Sequence, residues 1–324
     1  LARKNDYESR FAGVFGEWTH ELGGDRRLLS GLRLDSWTAD RWYLSMMNAQ
    51  TYLGDASATL KSGFIRFENK FGEGGKAYVG IGVSERPMDY WEAGKGGIAA
   101  GDLVTLKPEQ TAQLDAGLLW KSGKSSGSLS AFLGKTNNLI LIDAVGCSTA
   151  MDTTSGEGCS SNVDATRVGV EADIRHRLPG NWSVWGSAAY VYAQNDTMNV
   201  PLAQTPPLEV KLGSDYTAGN WTMGGVLRVV ARQDRIHYNY GNVVGLDRAV
   251  ATPGFATVGL NGSYKPSKSS QITFGIDNLF DRNYYEHISK SDVNQSSIGY
   301  SSYDVNTAIN EPGRTFWVKG QVNF

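Results

Sequence analysis

Hydrophobic and polar residues alternate along most of the chain, which is the pattern of β-strands. In the segment TRVGVEADIR, Val168, Val170 and Ile174 alternate with charged residues. The same alternation recurs in QLDAGLLWK, PLEVKLGSDYT and the final segment TFWVKGQVNF. Because successive side chains of a strand point to opposite faces, each segment has one apolar face and one polar face. The sequence therefore predicts two-faced strands from end to end.

Strand length favours a membrane-spanning β-barrel over a soluble β-sandwich. The alternating segments 164–178, 181–195, 206–217 and 221–235 are each longer than ten residues. Sandwich strands average about 5 to 6 residues, whereas a tilted strand needs about 9 to 11 to cross a bilayer. We therefore expect the apolar rows to face lipid and the ionic rows to line a hydrated lumen. The predicted lumen-lining charges are Arg167, Glu171, Asp173, Arg175, Glu209, Lys211, Arg228 and Arg232.

Short and long connections alternate along the chain, as they do in outer-membrane barrels. Short turn signals are found at 20–25, 72–75, 122–127, 179–181, 218–220 and 266–270. Long links, predicted to be external loops, lie near 43–57, 85–110, 144–164, 196–205, 236–252 and 278–312. Counting strands between them gives thirteen, and single-chain bacterial barrels have even strand numbers. Residues 1–324 are therefore predicted to be the C-terminal part of one larger barrel domain.

Composition agrees with a β-rich membrane protein and excludes several classes. The chain has 39 glycines and 11% aromatic residues, which favours strands and turns, and no apolar run is long enough for a membrane-spanning helix. A net charge of −2 and a pI near 6.1 provide no basic patch for nucleic acid. The chain opens on LARKNDYESR without a signal-peptide pattern, so we expect a leader to have been removed or the chain to be incomplete.

Four segments resemble the C-terminal barrel of TonB-dependent outer-membrane receptors: LKPEQTAQLDAGLLWK, PLAQTPPLEVKLGSDY, FGIDNLFDRNYYEH and EPGRTFWVKGQVNF. The resemblance implies the last thirteen strands of a 22-stranded barrel in the bacterial outer membrane. The plug, the TonB box and the first nine strands would lie outside this chain, and the TonB complex would be a partner through that plug. The terminal Phe324 resembles the signal that the barrel-assembly machinery recognises. Tyr284 and Tyr285 suit an aromatic girdle at the outer membrane interface.

The segments SERPMDYWE and EPGRTFWVK are most similar to the copper-receptor branch of this family, the OprC/NosA type. That resemblance implies active uptake of a copper ion as a transported substrate, with no permanently bound cofactor. A ferric-siderophore or haem receptor is the alternative, because uptake specificity depends on loops and plug that vary freely. A passive porin-like channel and a soluble sandwich are further alternatives.

Copper favours thiolate, thioether and imidazole ligands, so the cysteines and methionines are the candidates for its capture. Met46 and Met47 are predicted in one long link, Met88 follows a strand, and Met151 lies four positions after Cys147. The Cys-x-x-x-Met spacing is used in the copper branch, where it is paired with a His-x-Met that this sequence lacks. A disulfide between Cys147 and Cys159, in a polar loop, is the simpler prediction.

The sequence does not indicate an enzyme. It contains no G-x-S-x-G segment. Glu171 and Asp173 could pair as carboxylates, but Arg167 and Arg175 share their face, so a charge network in the lumen is the preferred interpretation.

Overall fold

The structure, a computed structural model, describes residues 4–44, 50–89, 92, 106–143, 159–238, 240–242, 245–289 and 308–323. The described residues form sixteen β-strands in one antiparallel sheet. In order from β1 to β16 they are Lys4–Gly23, Arg26–Leu44, Gln50–Phe71, Gly75–Arg86, Glu109–Ser122, Ser125–Asp143, Cys159–Arg177, Trp182–Asn195, Val200–Pro201, Glu209–Ala218, Trp221–Val230, Tyr240–Asn242, Gly245–Leu246, Phe255–Tyr264, Ser270–Asp277 and Thr315–Val322. Within these ranges no helix has the length and apolarity needed to cross a membrane.

Thirteen strands form a meander in which each strand pairs with its neighbours along the chain: β1 to β8, β10, β11 and β14 to β16. The remaining three, β9, β12 and β13, have two or three residues each and pair beside the meander. The predicted all-β class and the predicted number of thirteen long strands are therefore confirmed. The sheet is open, because β1 and β16 each have one neighbour in this order.

The six short turns lie where the sequence predicts them, and all lie on the same edge of the sheet, which we call the short-turn rim. Five of them place a residue in the left-handed region, among them Asp25 with φ 64°, Asn181 with φ 69° and Gly219 with φ 56°. Aspartate, asparagine and glycine tolerate this conformation best, which explains the turn signals in the sequence. The opposite edge, where the longer links lie, is the long-link rim.

Two of the predicted long links are shorter than the sequence suggested. The link predicted at 43–57 is largely strand, because β2 continues to Leu44 and β3 begins at Gln50. Backbone pairing between the two strands extends to Leu44 and Gln50. The link predicted at 144–164 likewise gives way to β7 from Cys159 onwards. As a result, β3 has 22 residues and β7 has 19.

The other four predicted links have different contents. The link at 85–110 separates β4, which ends at Arg86, from β5. The link at 196–205 contains β9, and the link at 236–252 contains β12 and β13. The link at 278–312 extends to the start of β16 at Thr315.

One face of the sheet, the inner face, carries both clusters of buried apolar side chains. Trp37, Ala39 and Leu60 of β2 and β3 pack with Met88 from the link after β4. Val163, Ala165 and Ala193 of β7 and β8 pack with Leu202 from the link after β9. The links therefore fold over the inner face near the long-link rim, and they leave the opposite face, the outer face, uncovered.

Aromatic rings on the inner face lie over glycines of the adjacent strand. The pairs are Phe64 with Gly31, Tyr78 with Gly117, Phe132 with Gly169, Trp185 with Gly213, and Trp317 with Gly275. A Cβ atom added to Gly213 would overlap the indole ring of Trp185. Glycine thus gives a large ring room to lie against the backbone on the concave side of a curved sheet. This arrangement was not predicted from the sequence, although each glycine lies at an inner-face position.

Candidate functional site

The outer face presents a continuous band of exposed apolar side chains. Every meander strand contributes at least one: Val14, Leu32, Ile65, Ile81, Leu114, Leu133, Val168, Tyr190, Leu212, Leu227, Leu260, Ile272 and Val318. Val168 is 45% exposed and pairs with Leu133, which is 50% exposed. A soluble protein rarely exposes an apolar surface of this extent, whereas a barrel in lipid requires one.

Paired aromatic rings border this band at the short-turn rim. Trp182 and Tyr216 are 5.0 Å apart between ring centroids, and Trp221 and Tyr264 stack at 4.4 Å. Phe274 packs edge-on against Trp221 at 6.4 Å. All belong to the outer-face rows defined by strand pairing. This is the arrangement of an aromatic girdle at a membrane interface.

The predicted girdle residues Tyr284 and Tyr285 lie elsewhere, so their assignment to the girdle was wrong. The ring of Tyr284 packs against Phe255, a buried residue, at 4.2 Å. Tyr285 lies under the guanidinium of Arg248 at 4.7 Å. Burial is the main reason why the pKa of Tyr284 is raised above its ordinary value. Tyr284 thus packs the link between β15 and β16 against the inner face, and Tyr285 packs it against the link before β14.

Seven of the eight predicted lumen charges stand on inner-face rows, as the strand pairing shows. Arg228 contacts both Glu209, with Nε 2.7 Å from Oε2, and Glu286, with Nη1 2.5 Å from Oε1. Lys211 donates to the other oxygen of Glu209 at 2.7 Å. These charges form a paired network near the long-link rim.

The remaining predicted charges are more scattered. Arg175 lies 3.4 Å from Asp215, and Asp173 accepts a short hydrogen bond from Ser128. Glu171 is exposed on the same row. Arg232 is the exception to the prediction, because β11 ends at Val230 and strand pairing gives Arg232 no face.

Two further charge clusters were not identified from the sequence. At the short-turn rim, Glu68 is contacted by Arg27 at 2.7 Å, Arg66 at 2.9 Å and Lys76 at 3.5 Å. At the long-link rim, both oxygens of Glu92 accept from the guanidinium of Arg86, at 2.8 and 2.9 Å. Arg86 also donates to Glu109 at 2.9 Å. Each cluster combines partners close in sequence with one that is distant, Arg27 for Glu68 and Glu109 for Arg86, so the complete clusters are visible only once the strands are paired.

A buried polar network joins the link before β14 to the link after β15. The side chains of His287 and Asp247 are fully buried, with Nε2 of His287 3.3 Å from Oδ1 of Asp247. Asp247 also accepts from the backbone N–H groups of His237 and Arg248. Arg248 donates to the backbone oxygens of His287 and Glu286. Burial raises the pKa of Asp247, but these donors outweigh it, so the pKa lies below its ordinary value.

A cavity of about 450 Å³ lies on the inner face near the long-link rim. Its walls come from β6, β7 and β8, and its cover comes from residues 202–206 and 241–242. Arg167 reaches into it and donates to the buried Thr136 at 3.1 Å. Of the predicted lumen charges, Arg167 is the one that lines this cavity.

Of the residues predicted to bind copper or form the disulfide, the structure describes the side chain of Met88. Met88 is 4% exposed and packs in the apolar cluster with Trp37, which is a packing environment. Met46, Met47, Met151 and Cys147 lie outside the described residues, as does Phe324. Cys159 is the first residue of β7, and its side chain is also outside the description. In the part of the chain that the structure describes, no group of three histidine, cysteine, aspartate or glutamate side chains is placed to hold a metal.

Comparison with known proteins agrees with this architecture. A family model described as TonB dependent receptor-like, beta-barrel, matches residues 2–279. The ferric enterobactin receptor of Pseudomonas aeruginosa is 23% identical over 347 aligned residues, which cover 99% of this chain and 43% of that receptor. Among solved structures, the copper transporter OprC gives a TM-score of 0.85 at 33% identity, covering 98% of this chain and 48% of that one.

The ferric citrate transporter FecA gives a TM-score of 0.73 at 18% identity and covers 100% of this chain and 46% of its own. At that identity the likeness shows the fold alone. The chain thus spans less than half the length of these relatives.

The family match extends over most of the chain and includes twelve of the thirteen strands that form the apolar band, all except β16. It confirms the resemblance seen in the sequence and the predicted location in the bacterial outer membrane. The chain belongs to the TonB-dependent receptor family and forms part of its outer-membrane β-barrel.

Proposed function

We propose that this chain is part of a receptor that imports a scarce metal nutrient across the outer membrane, and that copper is its cargo. The observation that supports copper as the transported substrate is the 33% identity to the copper transporter OprC over 98% of the chain. The solved iron transporters FecA, Fiu and FrpB superimpose at 14–18% identity. Energy would come from TonB through a plug outside this chain, and the barrel-assembly machinery would insert the protein.

The paired charges of the inner face support a hydrated passage rather than a dry core. Arg228 would be costly against lipid, by about 2–4 kcal/mol at mid-membrane, but here it meets two carboxylates on the inner side. The long links would lie outside the cell and gather substrate. In this proposal Met46, Met47 and Met151 supply soft ligands for copper, and Cys147 and Cys159 form a disulfide.

The test uses the full-length gene. Cells with and without it are grown under copper limitation and, separately, under iron limitation, and the cellular content of both metals is measured. We expect a loss of copper accumulation without the gene and the same loss when TonB is absent. An effect on iron alone would overturn the copper assignment. Uptake that persists without TonB would instead favour a passive channel.

The soft-ligand prediction has a matched control in the same chain. Met46→Ala with Met47→Ala should raise the copper concentration that supports half-maximal uptake. Met198→Ala should not, because Met198 is an exposed methionine, 40% accessible, in the link after β8. Equal behaviour of the two variants would remove Met46 and Met47 from the uptake route.

A ferric siderophore is the second candidate, favoured by the ferric enterobactin receptor as a relative. That relative is aligned over 99% of the chain, although at 23% identity. Rescue of growth by a ferric catecholate, lost with the gene under iron limitation, is the result that would select it.

A further inference from the structure

The cavity beside Arg167 has the size of a small-molecule site. Its volume of about 450 Å³ falls in the range of about 300–1,000 Å³ that is typical of ligand pockets. The inner faces of β6, β7 and β8 form its wall, and the links around Leu202 and Gly241 form its cover. It is therefore a partly enclosed site on the wall of the barrel.

The lining is apolar apart from a few polar groups. Phe132, Leu139, Leu141, Val191 and Leu202 supply the apolar surface. Leu141 and Leu202 also belong to the buried cluster of this region, so this surface is held in place by packing. Such a wall accommodates the hydrocarbon or aromatic part of a ligand.

Most of the polar lining groups already have partners within the protein. The side-chain oxygen of Gln204 accepts from the backbone N–H of Asn242 at 3.1 Å. The hydroxyl of Thr205 donates to the backbone oxygen of Leu202 at 2.7 Å. The amide of Gln113 donates to Asp115 at 2.8 Å. These groups are committed to holding the wall and its cover.

Arg167 differs from the other inner-face arginines near this rim. Arg86 and Arg228 each contact two carboxylates within 3 Å. Arg167 forms no ion pair with any residue that the structure describes, and one hydrogen bond, to Thr136, occupies Nη2. A guanidinium has five N–H donors, so several of them can bind an anionic group of a ligand.

We propose that this cavity binds an organic monoanion with a compact apolar body, such as an aromatic carboxylate. The carboxylate pairs with Arg167, and the ring lies against Phe132, Val191 and Leu202. The site needs no metal, so it goes beyond metal import and stands on separate observations.

The test measures binding of 2-naphthoate to the full-length receptor in lipid nanodiscs by calorimetry, with empty nanodiscs as the blank. Wild type should bind one equivalent saturably. Arg167→Gln should weaken binding by about 10- to 100-fold, the loss expected for a charge-assisted hydrogen bond. Arg167→Lys should retain most of the affinity. Naphthalene-2-carboxamide, which has the same ring and no charge, should bind as weakly as naphthoate binds to Arg167→Gln.

Two further variants locate the site. Arg175→Gln removes a lumen arginine of the same strand that pairs with Asp215 and does not line the cavity, so it should leave affinity unchanged. Val191→Phe fills the apolar part without altering charge and should reduce binding. Absence of saturable binding in the wild type, or equal affinity of wild type and Arg167→Gln, would overturn the proposal. Metal uptake is measured in cells and is decided independently of this result.

Discussion

The first three and the last three strands of the meander share the same alternation of apolar and polar residues but differ in length. Strands β1 to β3 have 20, 19 and 22 residues, whereas β14 to β16 have 10, 8 and 8. A bilayer requires about 9 to 11 residues of tilted strand. The last strands are therefore about as long as a membrane is thick, and the first ones are about twice as long.

The outer face of the long strands shows where the membrane ends. Along β2, Leu32 and Leu34 are exposed and apolar, and the following outer-face residues are Ser36, Thr38 and Asp40. Beyond this change the inner face becomes a small dry core around Trp37. The upper part of these strands is thus built like a soluble sheet, apolar inside and polar outside.

The C-terminal strands end near the membrane boundary, and irregular links continue from them. There the stabilising contacts are polar: the buried network around Asp247 and His287 replaces the apolar core of the long strands. The difference teaches that one barrel wall can be extended either by strands packed through side chains or by links held through backbone hydrogen bonds.

The largest expected effect is the loss of the apolar core of the extension. Trp37 is 3% exposed, and its indole N–H donates to Ser9 at 2.9 Å. Trp37→Ala should destabilise the upper parts of β1 to β3 by about 3–5 kcal/mol. Hydrogen exchange of residues 36–44 and 54–60 in the full-length receptor measures this. Trp317→Ala is the matched control, because that ring is 37% exposed, and its effect should be clearly smaller.

A lysine on the outer face separates membrane from non-membrane segments. Val318→Lys in β16 should cost about 2–4 kcal/mol, because this position lies in the apolar band. Thr38→Lys in β2 should cost almost nothing, because its neighbours on the outer face are polar. The measurement is the amount of folded receptor in the outer-membrane fraction. Similar yields for the two variants would contradict the boundary drawn after Leu34.

The polar network should be weaker than the apolar core. Asp247→Ala leaves the backbone N–H groups of His237 and Arg248 without their acceptor, at a cost of about 1–3 kcal/mol. Faster hydrogen exchange at residues 247–252 and 286–289 is the expected result. Asp234→Ala, which replaces an exposed aspartate between β11 and β12, is the control and should leave exchange unchanged.

The smallest effect is on pH dependence. The pKa of Asp247 is lower in the folded protein than its ordinary value of 3.8, so the carboxylate stabilises the fold above that value. This contribution is lost as the pH falls through the folded pKa, below about pH 4. Exchange at residues 286–289, corrected for its intrinsic rate, should therefore accelerate below pH 4 in wild type. Asp247→Asn should show no such step, and a step that persists in this variant would assign it to another group.

The alternation of the sequence was sufficient to predict the strands and their faces. Val168 and Arg167 occupy the outer and inner rows as expected, because a period of two leaves no other assignment once one face is apolar. The short turns were equally predictable, since Asp25, Asn181 and Gly219 carry the required left-handed conformation.

The extension of β2 and β3 was not predictable from the same rule. Its inner-face residues include Ala39, Ala56 and Ala58, which are too small to give strong hydrophobic contrast with serine and threonine. The buried pair of Asp247 and His287 joins two irregular links that are separated by β14 and β15, so no local pattern marks it. The cavity beside Arg167 also depends on long-range contacts.

The meander also constrains the order in which the wall can assemble. Most strands pair with the strand that precedes them in the chain. Each such pairing joins residues that are close in sequence, so it costs little chain entropy. The pairing of β12 with β6 is different, because Gly241 meets Ile142 across about a hundred residues of chain. Because β7, β8, β10 and β11 lie between β6 and β12 along the chain, we expect this pairing to form after those strands have paired. The pairing of β12 with β6 therefore depends on the correct placement of the strands between them.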